Sequence, residues 1–302
     1  MTDAAQKIVD GDLRTLARAA TWIENRSPEA EPLLRALFAH TGRALILGVT
    51  GPPGAGKSTL CDQCARLIRA EGKTVGIIAV DPSSPFSGGA VLGDRIRMQQ
   101  HHADPGVFIR SMATRGWLGG LARATTEMTM LLDAAGRDVV LVETVGVGQD
   151  EVEIARLAHV TLVVLTPGAG DDVQTLKAGI MEIAQVFVIN KSDLPGADKL
   201  QREIHAAMGL AQSREHDPEV EIVNTVALEG KGVAEVLAAA RRAEPRGRSA
   251  ERSAEVWAVR LREMLRDRML DGFSAEMFLT AGREVAAHQR DPYSIIHAWL
   301  KN

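Results

Sequence analysis

Residues 51–60 read Gly51-Pro52-Pro53-Gly54-Ala55-Gly56-Lys57-Ser58-Thr59-Leu60, directly after the apolar run Leu45-Ile46-Leu47-Gly48-Val49 and before a helical pattern from Leu60 to Ile68. Strand, glycine-rich loop and helix, in that order, give this G-x-x-x-x-G-K-S pattern a physical meaning. The glycines let the backbone curl so that successive N–H groups point into one concavity, and the helix N-terminus adds partial positive charge there. A phosphate fits such a cradle. Lys57 is placed to reach the β- and γ-phosphates of a nucleotide and the Ser58 hydroxyl to ligate Mg²⁺, with Gly51, Gly54, Ala55, Gly56 and Thr59 completing the loop.

Outward from that loop, short Val/Ile/Leu runs alternate with helical patterns. Strands are expected at 44–49, 75–80, 107–110, 138–143, 160–166, 186–190 and 221–227. Runs this continuously apolar are buried on both faces, which predicts an α/β fold with a mostly parallel central sheet flanked by helices. Ligands of such sheets sit at the carboxyl ends of the strands, where Asp81, Glu143 and Asn190 fall. Residues 1–42 read as an N-terminal helical extension, with Ser27-Pro28 as one helix start. Residues 43–244 read as the nucleotide-binding domain, and residues 245–302 as a C-terminal helical segment. Pro245-Arg246-Gly247-Arg248-Ser249 reads as the break before that segment. Its charged amphipathic helix, Ala254–Leu270, either packs on its own domain or forms an arm for self-association.

The 302-residue chain is 45% hydrophobic and 25% charged, with a formal net charge of −4, as expected of an ordinary globular protein. No dominant basic field favours nucleic acid, no apolar run approaches the ~20 residues that span a bilayer, and no secretory leader is visible, so a cytoplasmic protein is expected. The only cysteines, Cys61 and Cys64, are i, i+3 on the helix after the loop and read as core rather than as a metal or redox pair. His101-His102 reads as a solvated helix end.

Asn190-Lys191-Ser192-Asp193 follows the strand Val186–Ile189. A carboxylate there can accept hydrogen bonds from guanine N1–H and the 2-amino group together, a donor pair that adenine lacks, so Asp193 favours GTP and GDP over ATP. Asn190 would brace the loop and touch the purine, the aliphatic stem of Lys191 would cover the ring, and the Ala227 N–H would meet guanine O6. Asp81, Asp94 and Glu143 are the carboxylates for the Mg²⁺ neighbourhood, some acting through water. Each alone also reads as a helix cap or turn residue; Glu143, at a strand end three residues before Gly146, is the firmest. The Gly146 N–H suits a γ-phosphate sensor. Gln149 reads as a helix-start contact rather than a water-positioning group, which leaves the catalytic base open. Asp171 and Lys177 form either a charge pair that answers to nucleotide state or a helix cap beside a surface lysine.

Taken together, the loop at 51–58, Ala79-Val80-Asp81-Pro82-Ser83-Ser84, Leu92-Gly93-Asp94-Arg95-Ile96-Arg97-Met98, Phe108-Ile109-Arg110, Leu118-Gly119-Gly120, Val142-Glu143-Thr144-Val145-Gly146-Val147-Gly148-Gln149, Gly170-Asp171-Asp172 with Gln174 and Lys177, and Asn190–Asp193 resemble the MeaB/ArgK-like GTPases, called MMAA in animals. The resemblance spans most of the chain. It implies a P-loop G-domain of the SIMIBI class with N- and C-terminal helical extensions, the latter a dimerisation arm of a homodimer. It also implies a GTP-dependent chaperone that gates cofactor loading and protects or rescues an adenosylcobalamin-dependent acyl-CoA mutase. By the same resemblance Lys57, Asp94 and Glu143 serve hydrolysis, Ser58, Asp81, Asp94 and Glu143 surround the metal, and Asp171, Gln174 and Lys177 form a third switch. The sequence departs from the family at Asp150, where Ser is usual, and at Thr175, where Gly is common. Residues 111–116 differ from the form in many methylmalonyl-CoA mutase partners, which leaves the particular mutase open. Competing readings are a small-molecule kinase of the arginine/ornithine transport type, disfavoured by Asn190–Asp193, and a nickel-insertion GTPase, which needs a Cys/His site near the switches.

Overall fold

The computed structural model describes residues 2–81, 101, 103–113, 120–144, 157–168, 183–211, 220–270 and 272–300. Two compact units divide the chain, residues 1–252 and 253–302.

Among the described residues, the first unit holds one sheet of seven parallel strands: β1 (Leu45–Thr50), β2 (Val75–Asp81), β3 (Val107–Ala113), β4 (Val139–Glu143), β5 (Val160–Leu165), β6 (Val186–Asn190) and β7 (Glu221–Thr225). Their order is β3-β2-β4-β1-β5-β6-β7, parallel throughout. The seven expected strands are all present. β3 runs three residues further than its apolar pattern, and β7 stops at Thr225, because Ala227–Glu229 winds into a 3₁₀ turn.

Alternation along each strand sends side chains to opposite faces. Leu45, Leu47 and Val49 of β1 join one core with Leu60, Cys61, Cys64 and Ile68 of helix α4 (Lys57–Ala70). Helix α7 (Val233–Gly247) adds Val233, Val236 and Leu237 to that face. Ile46 of β1, with Val140 and Val142 of β4, faces the other way. There they meet α1 (Asp3–Val9), α2 (Leu13–Glu24), α3 (Ala30–Leu37) and α5 (Gly120–Ala134). Helix α6 (Ala197–Ala211) packs Leu200, Ile204 and Met208 on Phe187 and Ile189 of β6. The N-terminal helices therefore share the sheet's own core. Arg110 of β3 locks them there through a bidentate pair to Glu24 at 2.5 Å. Helix α3 starts at Ala30, two residues after the Ser-Pro start signal.

Both signals in the expected break at 245–249 have another use. Helix α7 runs through Pro245 in its last turn and ends at Gly247, where a Cβ would sit 1.8 Å from the His159 carbonyl oxygen. Glycine there permits close approach of the helix to the entry of β5, and the break between helices follows at residues 248–249. Arg248 then donates to the carbonyls of Gly42, Arg43 and Ala44, at 3.1, 3.0 and 2.6 Å. The N–H groups of the same three residues donate to the Asp133 carboxylate at 2.5–3.1 Å. The approach to β1, and so the position of the loop after it, is clamped from both sides.

The second unit comprises most of α8 (Ala250–Leu270), α9 (Ala275–Ala286) and α10 (Pro292–Trp299). Phe273, Phe278 and Trp299 stack with ring centroids 5.0–6.1 Å apart, and α9 and α10 are capped by Ser274 and Asp291.

Candidate functional site: a nucleotide cradle at the carboxyl edge of the sheet

β1 lies between β4 and β5, and the chain leaves it at the sheet's carboxyl edge into residues 51–56. Gly51 has φ 136° and Gly56 φ 92°, a region where a side chain is strained. Space forbids one as well: a Cβ on Gly51 would lie 2.0 Å from the Val164 oxygen, and one on Gly56 2.2 Å from Asn190 Nδ2. The glycines fix how tightly the loop is pressed between β5 and β6. Helix α4 starts at Lys57, so its free N–H groups face the loop.

Lys57 is buried, its ammonium donating to the carbonyls of Gly51 at 2.7 Å and Pro52 at 3.0 Å. Those bonds hold a cation inside the loop where an anionic phosphate would be met. Ser58 Oγ donates to Glu143 Oε1 at 2.6 Å across 85 residues of sequence. Glu143 ends β4 and is 5% exposed. Two hard oxygens thus meet at the first turn of α4, a donor set suited to Mg²⁺, which prefers oxygen ligands. Thr144 closes the back of the site, its hydroxyl donating to Thr50 at 3.0 Å.

Of the other metal candidates, Asp81 is described only as the last residue of β2, at the same edge. Asp94, Gly146, Gln149, Asp171, Gln174 and Lys177 lie outside the described residues.

On the other side of the loop, Asn190 is 3% exposed and makes three hydrogen bonds. Its Nδ2 donates to the Ala55 carbonyl at 2.8 Å; its Oδ1 accepts from the Ala227 N–H at 3.0 Å and the Thr225 hydroxyl at 3.1 Å. One side chain joins the phosphate loop, β6 and the turn after β7. The Ala227 N–H, expected to meet guanine O6, is bonded to Asn190 Oδ1 in this structure, because the turn brings it within reach of the amide oxygen. Lys191 adopts φ 55°, and its ammonium donates to the Gly54 carbonyl at 2.9 Å, laying its stem along the loop. A cavity of about 280 Å³ opens beside these groups. Gly56 and Thr59 line it from the loop and α4, Asn190, Lys191, Asp193 and Leu194 from the segment after β6, and residues 226–229 from the turn after β7.

The residues that sequence reasoning missed are mostly anchors. His101 is buried, not solvated: its Nε2 lies 2.9 Å from Asp62 Oδ1 on α4, one turn beyond Ser58. Asp62 also pairs with Arg66 at 3.0 Å. Arg69, a turn further, forks onto Asp104 at 2.8 and 2.9 Å and holds its carboxyl below the usual carboxylate range, the Gly106 N–H adding to the effect. The phosphate-loop helix is thereby zipped to the segment that enters β3. No short motif announces pairs separated by 35 or 39 residues. Cys61 and Cys64 are buried as expected, and burial pushes the Cys64 thiol up to about 12.

A family model for the methylmalonyl Co-A mutase-associated GTPase MeaB matches residues 16–278. The chain belongs to this family. Among its relatives, a Pyrococcus abyssi protein is 54% identical over 233 residues, covering 76% of this chain and 72% of the relative. The GTPase ArgK of Escherichia coli is 39% identical over 243 residues, 78% of this chain and 73% of its own. The methylmalonic aciduria type A homolog, mitochondrial, of Mus musculus is 35% identical over 261 residues, covering 78% of this chain and 63% of the mouse protein. A crystal structure of a LAO/AO transport system kinase superposes with a TM-score of 0.66 at 28% identity, covering 99% of this chain and 96% of that one. As a MeaB-family protein, the chain is a P-loop GTPase that binds guanine nucleotide. No helix among the described residues is long and apolar enough to cross a membrane.

Proposed function

We propose that this MeaB-family GTPase is a Mg²⁺-dependent, GTP-hydrolysing chaperone of an adenosylcobalamin-dependent acyl-CoA mutase, working in the cytoplasm as a homodimer. The observation that carries the nucleotide part is the Asn190 bridge, which joins the phosphate loop to the cavity flanked by Lys191 and Asp193. The mutase part rests on the family's description and on the mouse relative's name.

In this reading Asp193 accepts the two guanine donors, and adenine would leave its carboxylate unpaired. Lys57 exchanges the Gly51 and Pro52 carbonyls for β- and γ-phosphate oxygens, a gain because its ammonium then meets full negative charge instead of carbonyl dipoles. Ser58 and Glu143 would hold Mg²⁺, with Asp81 and Asp94 around it; bound there, the ion neutralises charge on the phosphates. Gly146 senses the γ-phosphate, and Asp171, Gln174 and Lys177 pass nucleotide state to the mutase. The exposed Leu261, Met264, Leu265 and Met269, spaced on one side of α8, support an arm that meets a second copy.

The test is phosphate release from GTP by purified protein, alone and with candidate cobalamin-dependent mutases. Slow turnover that rises with one mutase supports the proposal and names the partner. Indifference to every such mutase, or labelled phosphate appearing on arginine or ornithine, overturns it.

A further inference from the structure

Ser58, Asp62 and Arg66 of α4 are spaced four apart and Arg69 follows three later, so the four form one polar stripe, while Leu60, Cys61, Cys64 and Ile68 face the core. Residues 101 and 103–106 form a strap beside that stripe. At its lower end Asp104 forks onto Arg69, and Gly106 lies so close under the guanidinium that a Cβ would sit 2.1 Å from Arg69 Cζ. The strap is tied within itself: the Asp104 N–H donates to the His101 carbonyl at 3.0 Å and the Gly106 N–H to Asp104 Oδ1 at 2.8 Å. At its upper end buried His101 places Nε2 2.9 Å from Asp62 Oδ1, and Arg66 takes Asp62 Oδ2 at 3.0 Å. Asp62 is one helical turn, about 6 Å along the axis, from Ser58, whose hydroxyl donates to Glu143.

Neither His101 nor Asp62 lines the cavity. Two apolar side chains would hold strap to helix at less cost, since desolvating a carboxylate is expensive. What the hydrogen bond adds is direction. We infer that His101 is a positioning residue for the GTPase reaction: through Asp62 it fixes the rotation of the first two turns of α4, and so where Ser58 Oγ points. This rests on the reading of Ser58 and Glu143 as the Mg²⁺ pair. A rotation of about 15° moves a short side chain by about 1 Å. Mg²⁺ demands a near-ideal octahedron, so its site feels an error of that size.

Full-length protein, His101→Phe, His101→Gln and Ser58→Ala are titrated with GDP by calorimetry, in Mg²⁺ and in EDTA, and the ratio of the two affinities is read. Phenylalanine fills the ring's volume without a donor; glutamine keeps an N–H at a similar reach. Loss of a group that orients a metal ligand typically weakens metal binding about tenfold or more, so H101F should lower the ratio by about tenfold. H101Q should keep it within about threefold, and GDP affinity in EDTA should be unchanged in both. A wild-type ratio in H101F, an equal loss in H101Q, or a GDP loss that is the same with and without Mg²⁺ overturns the inference. Ser58→Ala separates the two failures. If it keeps the wild-type ratio, or the wild type itself gains nothing from Mg²⁺, the metal reading fails and the inference with it. A loss in S58A without one in H101F refutes the positioning role alone.

Discussion

Replacing Asn190 by alanine removes a side chain that touches the phosphate loop, β6 and the turn after β7 at once. Its loss strands the Ala55 carbonyl, the Ala227 N–H and the Thr225 hydroxyl, each within 2.8–3.1 Å of the amide in a side chain that is 3% exposed. At about 1 kcal/mol for each such bond, the unliganded protein should lose about 3 kcal/mol. For a unit of this size each kcal/mol moves the melting temperature by about 2–4 °C, so a fall of about 6–12 °C is expected. Asn190→Asp sharpens the argument. It keeps the acceptor for Ala227 and Thr225 but turns the donor to Ala55 into a second oxygen, so it should still lose at least about 1 kcal/mol. Thermal unfolding by circular dichroism without nucleotide reads both variants. A shift below about 1 °C for N190A would refute the claim that this residue braces the empty site, and would leave it only a role toward ligand.

Three further outcomes follow from anchors away from the cavity. Glu24→Gln removes the anionic partner of half-buried Arg110 and should cost about 1–3 kcal/mol in a melt while GDP affinity stays at the wild-type value; weakened GDP binding would contradict a purely anchoring role. Asp104 has its carboxyl lowered by Arg69, so the stability it contributes is fully present above the unfolded aspartate value of about 3.9 and disappears as pH falls through the depressed folded value. In melts from pH 6 to pH 2, Asp104→Asn should therefore show a shallower acid decline than wild type, and an identical slope would remove Asp104 from the account. The buried cysteines, with Cys64 pushed up to about 12, should give no fast reaction with a disulfide reagent at pH 8 and two equivalents in denaturant; prompt native labelling would place them outside the core.

What could be read from the chain was whatever is local and periodic. The apolar runs Leu45–Val49 and Val186–Ile189 are strands because both faces of the sheet are covered, so continuity alone marked them. The loop at 51–58 carries its meaning in its own spacing, and the Ser58–Glu143 meeting follows from two strand ends sharing one edge of a parallel sheet. The long-range polar contacts were not legible. Asp133 reaches back some 90 residues to cap Gly42, Arg43 and Ala44, and His101 reaches Asp62 across 39, each from an unremarkable helix or turn. Punctuation and packing act together at 245–249: Pro245 and Gly247 lie in the last turn of a helix pressed on the entry to β5, and that helix ends before Ala250. Ala227 lines the cavity and its N–H is bonded to Asn190, a pairing set by a 3₁₀ turn that residue types alone do not announce.

The central claim is that the cavity beside Asn190, Lys191 and Asp193 reads guanine. The most direct measurement is the dissociation constant of GTP against that of ATP, by calorimetry on the full-length protein with Mg²⁺. A site built to pair both guanine donors with a carboxylate predicts GTP favoured by about a thousandfold or more. ATP binding within tenfold of GTP would contradict it.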